Sequence, residues 1–552
     1  MRTPALDNLP LSVFSHAGCA VRAGTHNSFR GERRANCRPI RALSKNSGID
    51  AMIRPQNNRV SDIVDEAARD AAQARAVTDA DGSWTYRVLA ERSADFAEWL
   101  AGQGVSRGDR VVVQLRSRRE LVAMFYGCAR LGAIFVPLNP AMKEFHLSSV
   151  LINAEPVLVI AEGAGVEPLR GLAAVPVHDL AELWPEVIGV ARGATAAPAG
   201  PEPGDIAVLV YTSGSTSAPK AVICPHAQMT FAARAIDTVL RYRADDVVFC
   251  RFPLSWDYGL YKVLLSGLGR SELVLAGEES DLQLLRRMRE VGATVVPIVP
   301  SLAAMIVTLA QRESAAPPPV RMFTNTGAAL PVATISALRQ AFPGARVVRQ
   351  FGQTECKRIS IMPPDQDDTR PSSVGLPLPG TEVRILDHDD NPVPSGEVGE
   401  IVVVGPHVMP GYWRAPDLSA ATFERDEPTG YLRLRTGDYG SLDDEGYLYF
   451  EGRRDDMFKR KGIRMSTLEI ESAALDIPGV RTAAVLPPDD GRDLTIFVES
   501  DLEPHVVLKE LARRLEQAKV PAVCRIVAEL PLTLHGKHAR QALAAMLSGE
   551  PR

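Results

Sequence analysis

The chain contains no CxxC pair, no HxxxH pair, no long apolar run and no excess of basic charge. Each absence removes a class of function. Seven cysteines (Cys19, Cys37, Cys128, Cys224, Cys250, Cys356, Cys524) are scattered, which argues against both a zinc site and a disulfide framework and for a reducing, cytoplasmic compartment. Ten histidines form no ligand cluster, so a protein-held transition metal is not expected. No segment approaches the roughly 18 apolar residues of a membrane span. A net charge of −5 offers nothing to neutralise a nucleic-acid backbone, so no nucleic-acid partner is expected.

What is present is a soluble globular composition, 45% hydrophobic and 23% charged, in 552 residues, too many for one ordinary core. Residues 1–51 stand apart. They carry eight Lys/Arg against three Asp/Glu and no sustained apolar period, and read as a disordered extension. Their acid-poor, Arg-rich character also fits a transit peptide, or sequence ahead of a start at Met52. From "VSDIVDEAARDAA" onward, helical and strand patterns alternate. "YRVLAERSADFAEWLAGQG" and "ELVAMFYGCARLGA" have helical periods; "DRVVVQL", "IFVPLN", "DIAVLVYTSG", "ATVVPIVPS" and "ARVVRQFG" are short β-branched runs. Buried parallel strands under covering helices follow from that alternation. "GEVGEIVVVGP" and "GYLYFEGRRDD" read as antiparallel hairpins, and the stretch from about Asp455 as a small separate domain.

Four polar stretches carry chemistry. "YTSGSTSAPKAV", residues 211–222, is a Gly/Ser/Thr loop closed by Lys220, suited to wrapping phosphate with backbone and hydroxyl donors. It is not a Walker loop, because its lysine follows a proline and precedes no Ser/Thr. "QFGQTECKR", residues 350–358, offers a ring, a hydroxyl and a carboxylate within one turn; a carboxylate beside a triphosphate is the usual holder of Mg²⁺. In "LRTGDYG", Asp438 sits in a tight turn where its paired acceptors suit two ribose hydroxyls. In "LPLTLHGKHAR", residues 530–540, Lys537 stands on a short glycine turn.

With "GAALP" (327–331) and "GEVGEIVVVGPHVMPGYW" (396–413), the order and spacing of these stretches over about residues 55–545 resemble the adenylate-forming superfamily of acyl-CoA synthetases, adenylation domains and luciferases. The resemblance implies an α/β fold: a large N-terminal domain of layered sheets and helices with a β-rich subdomain (52–454), and a small mobile α+β C-terminal domain (455–552). It implies attack of a carboxylate on the α-phosphate of ATP, giving an acyl-adenylate and pyrophosphate, then transfer of the acyl group to a thiol or an amine. Carried over by position, Thr212, Ser213, Gly214, Ser215, Thr216 and Lys220 would bind the β/γ-phosphates. Gly327, Ala328 and Ala329 would line the adenine site, with Phe351 stacking on the base. Thr354 would approach the α-phosphate, Glu355 hold Mg²⁺, Asp438 take the ribose hydroxyls and Arg453 bind nearby. Asp455 would be the hinge and Lys537 the catalytic lysine. Ser217 and Ala221 replace family glycines, Phe351 replaces the usual tyrosine, and "GAAL" lacks the usual acidic residue; none removes a charged group that adenylation needs.

"FPLSWDYGLYK", residues 252–262, falls where such proteins build the acid pocket, with Trp256 at the aromatic gate and Gly352 and Cys356 on the pocket wall. Asp257 falls where amino-acid-activating members pair a carboxylate with the substrate ammonium. Equally, it can cap a helix or pair with Lys357 and Arg358. The resemblance of Gly462 and "KRKGIR" to the pantetheine tunnel loop implies a thiol acceptor, either CoA or the phosphopantetheine of a separate carrier protein. An amine, as in amide synthetases, is the alternative, and a non-catalytic ATP sensor a remote one.

Overall fold

The computed structural model describes residues 59–190, 200–212, 220–277, 280–364, 366, 368–453, 457–460, 463–489, 492–517, 519–531 and 539–548. All of them belong to the compact unit Gly48–Arg552. The extension at residues 1–51 lies outside the described residues.

The β-branched runs form buried parallel strands in two sheets. In a six-stranded sheet, Val177–Asp179, Leu158–Ala161, Arg110–Gln114, Ile134–Pro137 and Ile206–Thr212 lie side by side and parallel; Lys220–Pro225 completes it antiparallel to Ile206–Thr212. In a 14-stranded sheet, Arg75–Asp79, Glu272–Leu275, Val247–Cys250, Val295–Ile298, Met322–Asn325 and Arg346–Phe351 are parallel. Beyond Arg346–Phe351 the same sheet turns antiparallel, through Ser360–Ile361, Ser373–Pro377, Leu448–Arg453, Leu432–Leu442, Gly399–Val404 and Glu382–Leu386. The glycine-punctuated hairpin sequences are thus strands of the antiparallel half.

Helices Arg119–Leu131 and Asp257–Gly269 are apolar nearly all round and buried along most of their length. A helix with no polar face must be covered on every side. Val60–Asp70 packs against both, with Tyr86–Gly102 on the first and His226–Leu240 on the second. Lys262 is the exception in this pattern, a lysine 1% exposed within the second buried helix.

The C-terminal segment has cores of its own. Val480–Leu486 pairs antiparallel with Thr495–Ser500, which pairs parallel with Val523–Ile526. Side chains alternate across this sheet, as a period of two requires. Val485, Ile496 and Val498 join Ile470, Val507 and Leu511 in one cluster, whereas Ala484, Leu486 and Phe497 join Leu530 and Leu543 in another. No helix among the described residues is long and apolar enough to cross a membrane.

Candidate active site

The switch from parallel to antiparallel pairing falls at Phe351, the last residue of its strand, and the polar stretch 350–358 makes the reversal. Open α/β sheets bind ligands beyond the carboxyl ends of parallel strands, so this is the place where the fold provides a site. The turn is tight enough to demand its sequence. A Cβ at Gly352 would come within 2.6 Å of both the Arg358 Cα and the Lys357 carbonyl oxygen, and Lys357 itself has φ +67°. The Gln353 carbonyl accepts from the amides of Cys356 and Lys357. Thr354 and Glu355 are thereby held at the half-exposed outer bend, and Cys356 is directed fully inward. Burial pushes the Cys356 thiol well above its ordinary value, which makes it a poor nucleophile.

Lys357 and Arg358 turn toward the head of helix Asp257–Gly269. The Lys357 ammonium, 1% exposed, lies 2.9 Å from Asp257 Oδ1 and 3.3 Å from the Cys224 sulfur, and the Arg358 guanidinium lies 4.0 Å from Asp257 Oδ2. Burial pulls the lysine pKa down, but the Asp257 charge outweighs it and the group stands above the usual lysine range. Arg358 also donates from Nε to Gln350 Oε1 at 2.8 Å and lies over the Tyr258 ring, which Lys262 approaches to 4.3 Å. Of the two readings of Asp257, the structure displays the pairing with Lys357 and Arg358; Asp257 also opens its helix, without a side-chain cap bond from the residue before it. Trp256 precedes that helix, half-buried, its ring 6.3 Å from Phe252.

Gly327, Ala328 and Ala329 are exposed just past strand Met322–Asn325, and Asn325 Nδ2 donates to the Ala328 carbonyl at 2.9 Å. Phe351 lies against Phe450, ring centres 4.8 Å apart. Asp438, 2% exposed, faces Arg453 across paired strands, with Arg453 Nε 3.1 Å from its Oδ1. Thr212 and Lys220 end the two strands flanking the Gly/Ser/Thr loop, and are register partners. Ser213, Gly214, Ser215, Thr216, Asp455, Gly462 and Lys537 lie outside the described residues.

Two features went unassigned in the sequence. Tyr412 donates from its hydroxyl to Glu355 Oε1 at 2.7 Å, and its ring lies beneath Lys220 Nζ, 5.6 Å from the centre. Lys262 underlies the Tyr258 ring. A lysine in the middle of an otherwise apolar helix was the available signal for Lys262; contacts across 57 residues, as between Tyr412 and Glu355, leave none.

A family model described as AMP-binding enzyme matches residues 64–413. The chain is 30% identical over 518 residues to salicylyl-CoA synthase / salicylate adenylyltransferase of Streptomyces sp, a match covering 86% of this chain and 91% of that protein. Other relatives are much longer: the chain spans 37% of delta-poly-L-ornithine synthetase of Acinetobacter baumannii (strain AB307-0294), at 29% identity over 89% of this chain. Among solved structures it is similar to VinN, at 53% identity over 72% of this chain and 99% of that one with a TM-score of 0.68; VinN has also been solved with L-aspartate and with 3-methylaspartate. It is similar too to ATP-bound MatB from Rhodopseudomonas palustris, at 26% identity, 90% and 99% coverage and a TM-score of 0.80. The chain belongs to the AMP-binding enzyme family and is an AMP-forming acid ligase, which activates a carboxylic acid with ATP.

Proposed function

We propose that the acid activated is an amino dicarboxylate and that the acceptor is a thiol, of CoA or of a carrier-bound phosphopantetheine. The observation that carries the substrate class is the buried Asp257–Lys357–Arg358 cluster. These three groups place one carboxylate beside two cations at the head of the pocket helix. Charge removed from water is costly unless matched. A substrate with an ammonium and a spare carboxylate matches both signs: the ammonium goes to Asp257, the carboxylate to Lys357 and Arg358. Support comes from the VinN structures with L-aspartate and 3-methylaspartate. The thiol is supported by a relative named as a CoA synthase.

In the first step an oxygen of the second carboxylate forms a bond to the α-phosphorus as the bond to the bridging oxygen of pyrophosphate breaks. Both reactants are anionic, so the protein's part is positioning and charge cancellation. Lys220 lies toward the β/γ-phosphates, Asp438 toward the ribose, and Lys537 is the lysine for the reacting centre. Glu355 is linked through Tyr412 to Lys220, and no group of three or more His, Cys, Asp or Glu side chains that could hold a metal ion occurs among the described residues. That donor set suits Mg²⁺ held by one carboxylate together with phosphate oxygens, where the ion would cancel phosphate charge. In the second step the thiol sulfur attacks the acyl carbon, AMP leaves and the thiol proton is released.

ATP–pyrophosphate exchange with L-aspartate, 3-methylaspartate, succinate, alanine and salicylate tests the reading. The amino dicarboxylates should support exchange, with succinate and alanine lower by about a hundredfold or more, because each lacks one of the two groups the cluster is proposed to bind. Fastest exchange with salicylate or alanine would refute it.

A further inference from the structure

We propose that Tyr412 is a positioning residue, holding the Glu355 carboxylate in its metal-binding orientation and coupling it to Lys220 of the phosphate loop; this rests on the reading of Glu355 as the Mg²⁺ ligand. The tyrosine belongs to segment 409–413, which is fastened on both sides. Its Met409 amide donates to the Glu355 carbonyl at 2.9 Å. Its other end lies along strand Lys220–Pro225: Ile223 N donates to the Gly411 carbonyl at 3.0 Å, Trp413 N to the Ala221 carbonyl at 2.8 Å, and Tyr412 bridges to Val222. The Tyr412 amide is fixed in turn by Ser419 Oγ at 2.9 Å, and the ring by Phe423, centres 5.4 Å apart.

The side chain, 6% exposed, therefore has little freedom. One donor, its hydroxyl, meets one oxygen of Glu355 at 2.7 Å, the length of a strong bond to a charged acceptor. A carboxylate on a half-exposed turn otherwise samples several rotamers, and a ligand held in one of them loses less entropy on binding. The face of the same ring meets the Lys220 ammonium, an attraction of the cation–π kind. Tyr412 thus touches, through its two chemically distinct parts, the carboxylate proposed for the metal and the lysine proposed for the phosphates. Both ligands belong to one object, a metal–triphosphate complex, and a rigid residue between them fixes their separation.

The test measures binding of α,β-methylene-ATP by calorimetry, with no acid present, once in Mg²⁺ and once in EDTA. The ratio of the two Kd values is the metal-dependent gain. Tyr412→Phe keeps the ring under Lys220 and removes only the hydroxyl. It should reduce that ratio by about tenfold, the effect of one hydrogen bond to a charged group, with the EDTA value unchanged. Glu355→Gln should abolish the ratio, and the double variant should resemble Glu355→Gln alone, because the two residues act through one contact. Tyr412→Leu should in addition weaken binding in EDTA, through loss of the ring. If Glu355→Gln abolishes the gain while Tyr412→Phe leaves it intact, the proposal is overturned and the metal assignment stands. If Glu355→Gln leaves the gain intact, the metal assignment falls and the proposal with it. A Tyr412→Phe protein that fails to fold, or melts more than about 5 °C lower without nucleotide, gives the hydroxyl a merely structural role and also overturns the proposal.

Discussion

Lys262→Met removes a single ammonium from the buried helix Asp257–Gly269 and keeps a side chain of similar length. The Lys262 Nζ lies 3.5 Å from the Tyr242 hydroxyl and 4.3 Å from the Tyr258 ring centre. Burial first, and the Arg358 guanidinium next, lower its pKa from 10.5 to about 7. Between those values the unfolded chain holds a proton at this lysine that the folded chain does not. Wild-type stability therefore rises with pH through that window: the penalty is fully present below about 7 and gone above 10.5. At about 1.36 kcal/mol per pH unit, moving from about pH 7 to about pH 9.5 should stabilise the wild type by about 3 kcal/mol relative to Lys262→Met. Other titrations are common to both proteins and cancel. An unfolding entropy of about 2 cal/mol/K per residue over about 500 residues converts this to about 3 °C in melting midpoint, more if a smaller unit melts alone. The methionine variant should melt higher at neutral pH, and the gap should close as pH rises. A gap that stays constant or widens with pH would refute the reasoning.

Asp257→Asn leaves Lys357 buried without its carboxylate and should cost about 3–5 kcal/mol, read as a lowered unfolding midpoint. Adding Lys357→Met should restore most of that midpoint but not exchange with amino dicarboxylates. Lys537→Ala should slow acid-dependent pyrophosphate release by about 10²–10³, the cost of one charge-stabilising donor, while acyl transfer from a supplied acyl-adenylate stays near wild type. Asp455→Pro, which fixes φ at the expected hinge, should do the reverse; equal loss of both steps in Lys537→Ala would count against two alternating arrangements.

The layered α/β fold was legible because its signals are local. Short β-branched runs such as Arg110–Gln114 and Val295–Ile298 read as buried strands, and Arg119–Leu131, apolar between its charged ends, reads as a covered helix. The residues proposed around the nucleotide stood out for another reason: they sit in short polar stretches that interrupt those runs. Side-chain partnerships were not legible. The Asp257–Lys357 pair spans 100 positions, and whether Asp257 meets a cation of the protein or of a substrate depends on how one turn closes. That closure depends on Lys357 taking φ +67°, a conformation sequence does not announce for a lysine. Tyr412 was inside a quoted stretch, yet nothing in its neighbours foretells that the segment returns to lie along Lys220–Pro225.

The arrangement also constrains how the substrate range of such a site can change. Glu355, Cys356, Lys357 and Arg358 are consecutive, and one reversal directs them to four destinations: Glu355 to Tyr412, Cys356 into the core, Lys357 to Asp257 and Arg358 to Gln350. A substitution at Lys357 must keep a left-handed backbone, or the disturbance reaches Glu355 two residues away. Asp257 has no such link. It stands in the first turn of a rigid, buried helix, where a Cβ at neighbouring Gly259 would already come within 2.3 Å of the Pro253 carbonyl oxygen, so the backbone there is held by close packing rather than by the side chain of Asp257. Exchanging Asp257 together with a compensating change at the Lys357 ammonium alters which acid is matched without moving the carboxylate proposed for the metal. The half of the pocket on the helix is therefore the half free to vary, and the half on the turn is tied to the chemistry of ATP.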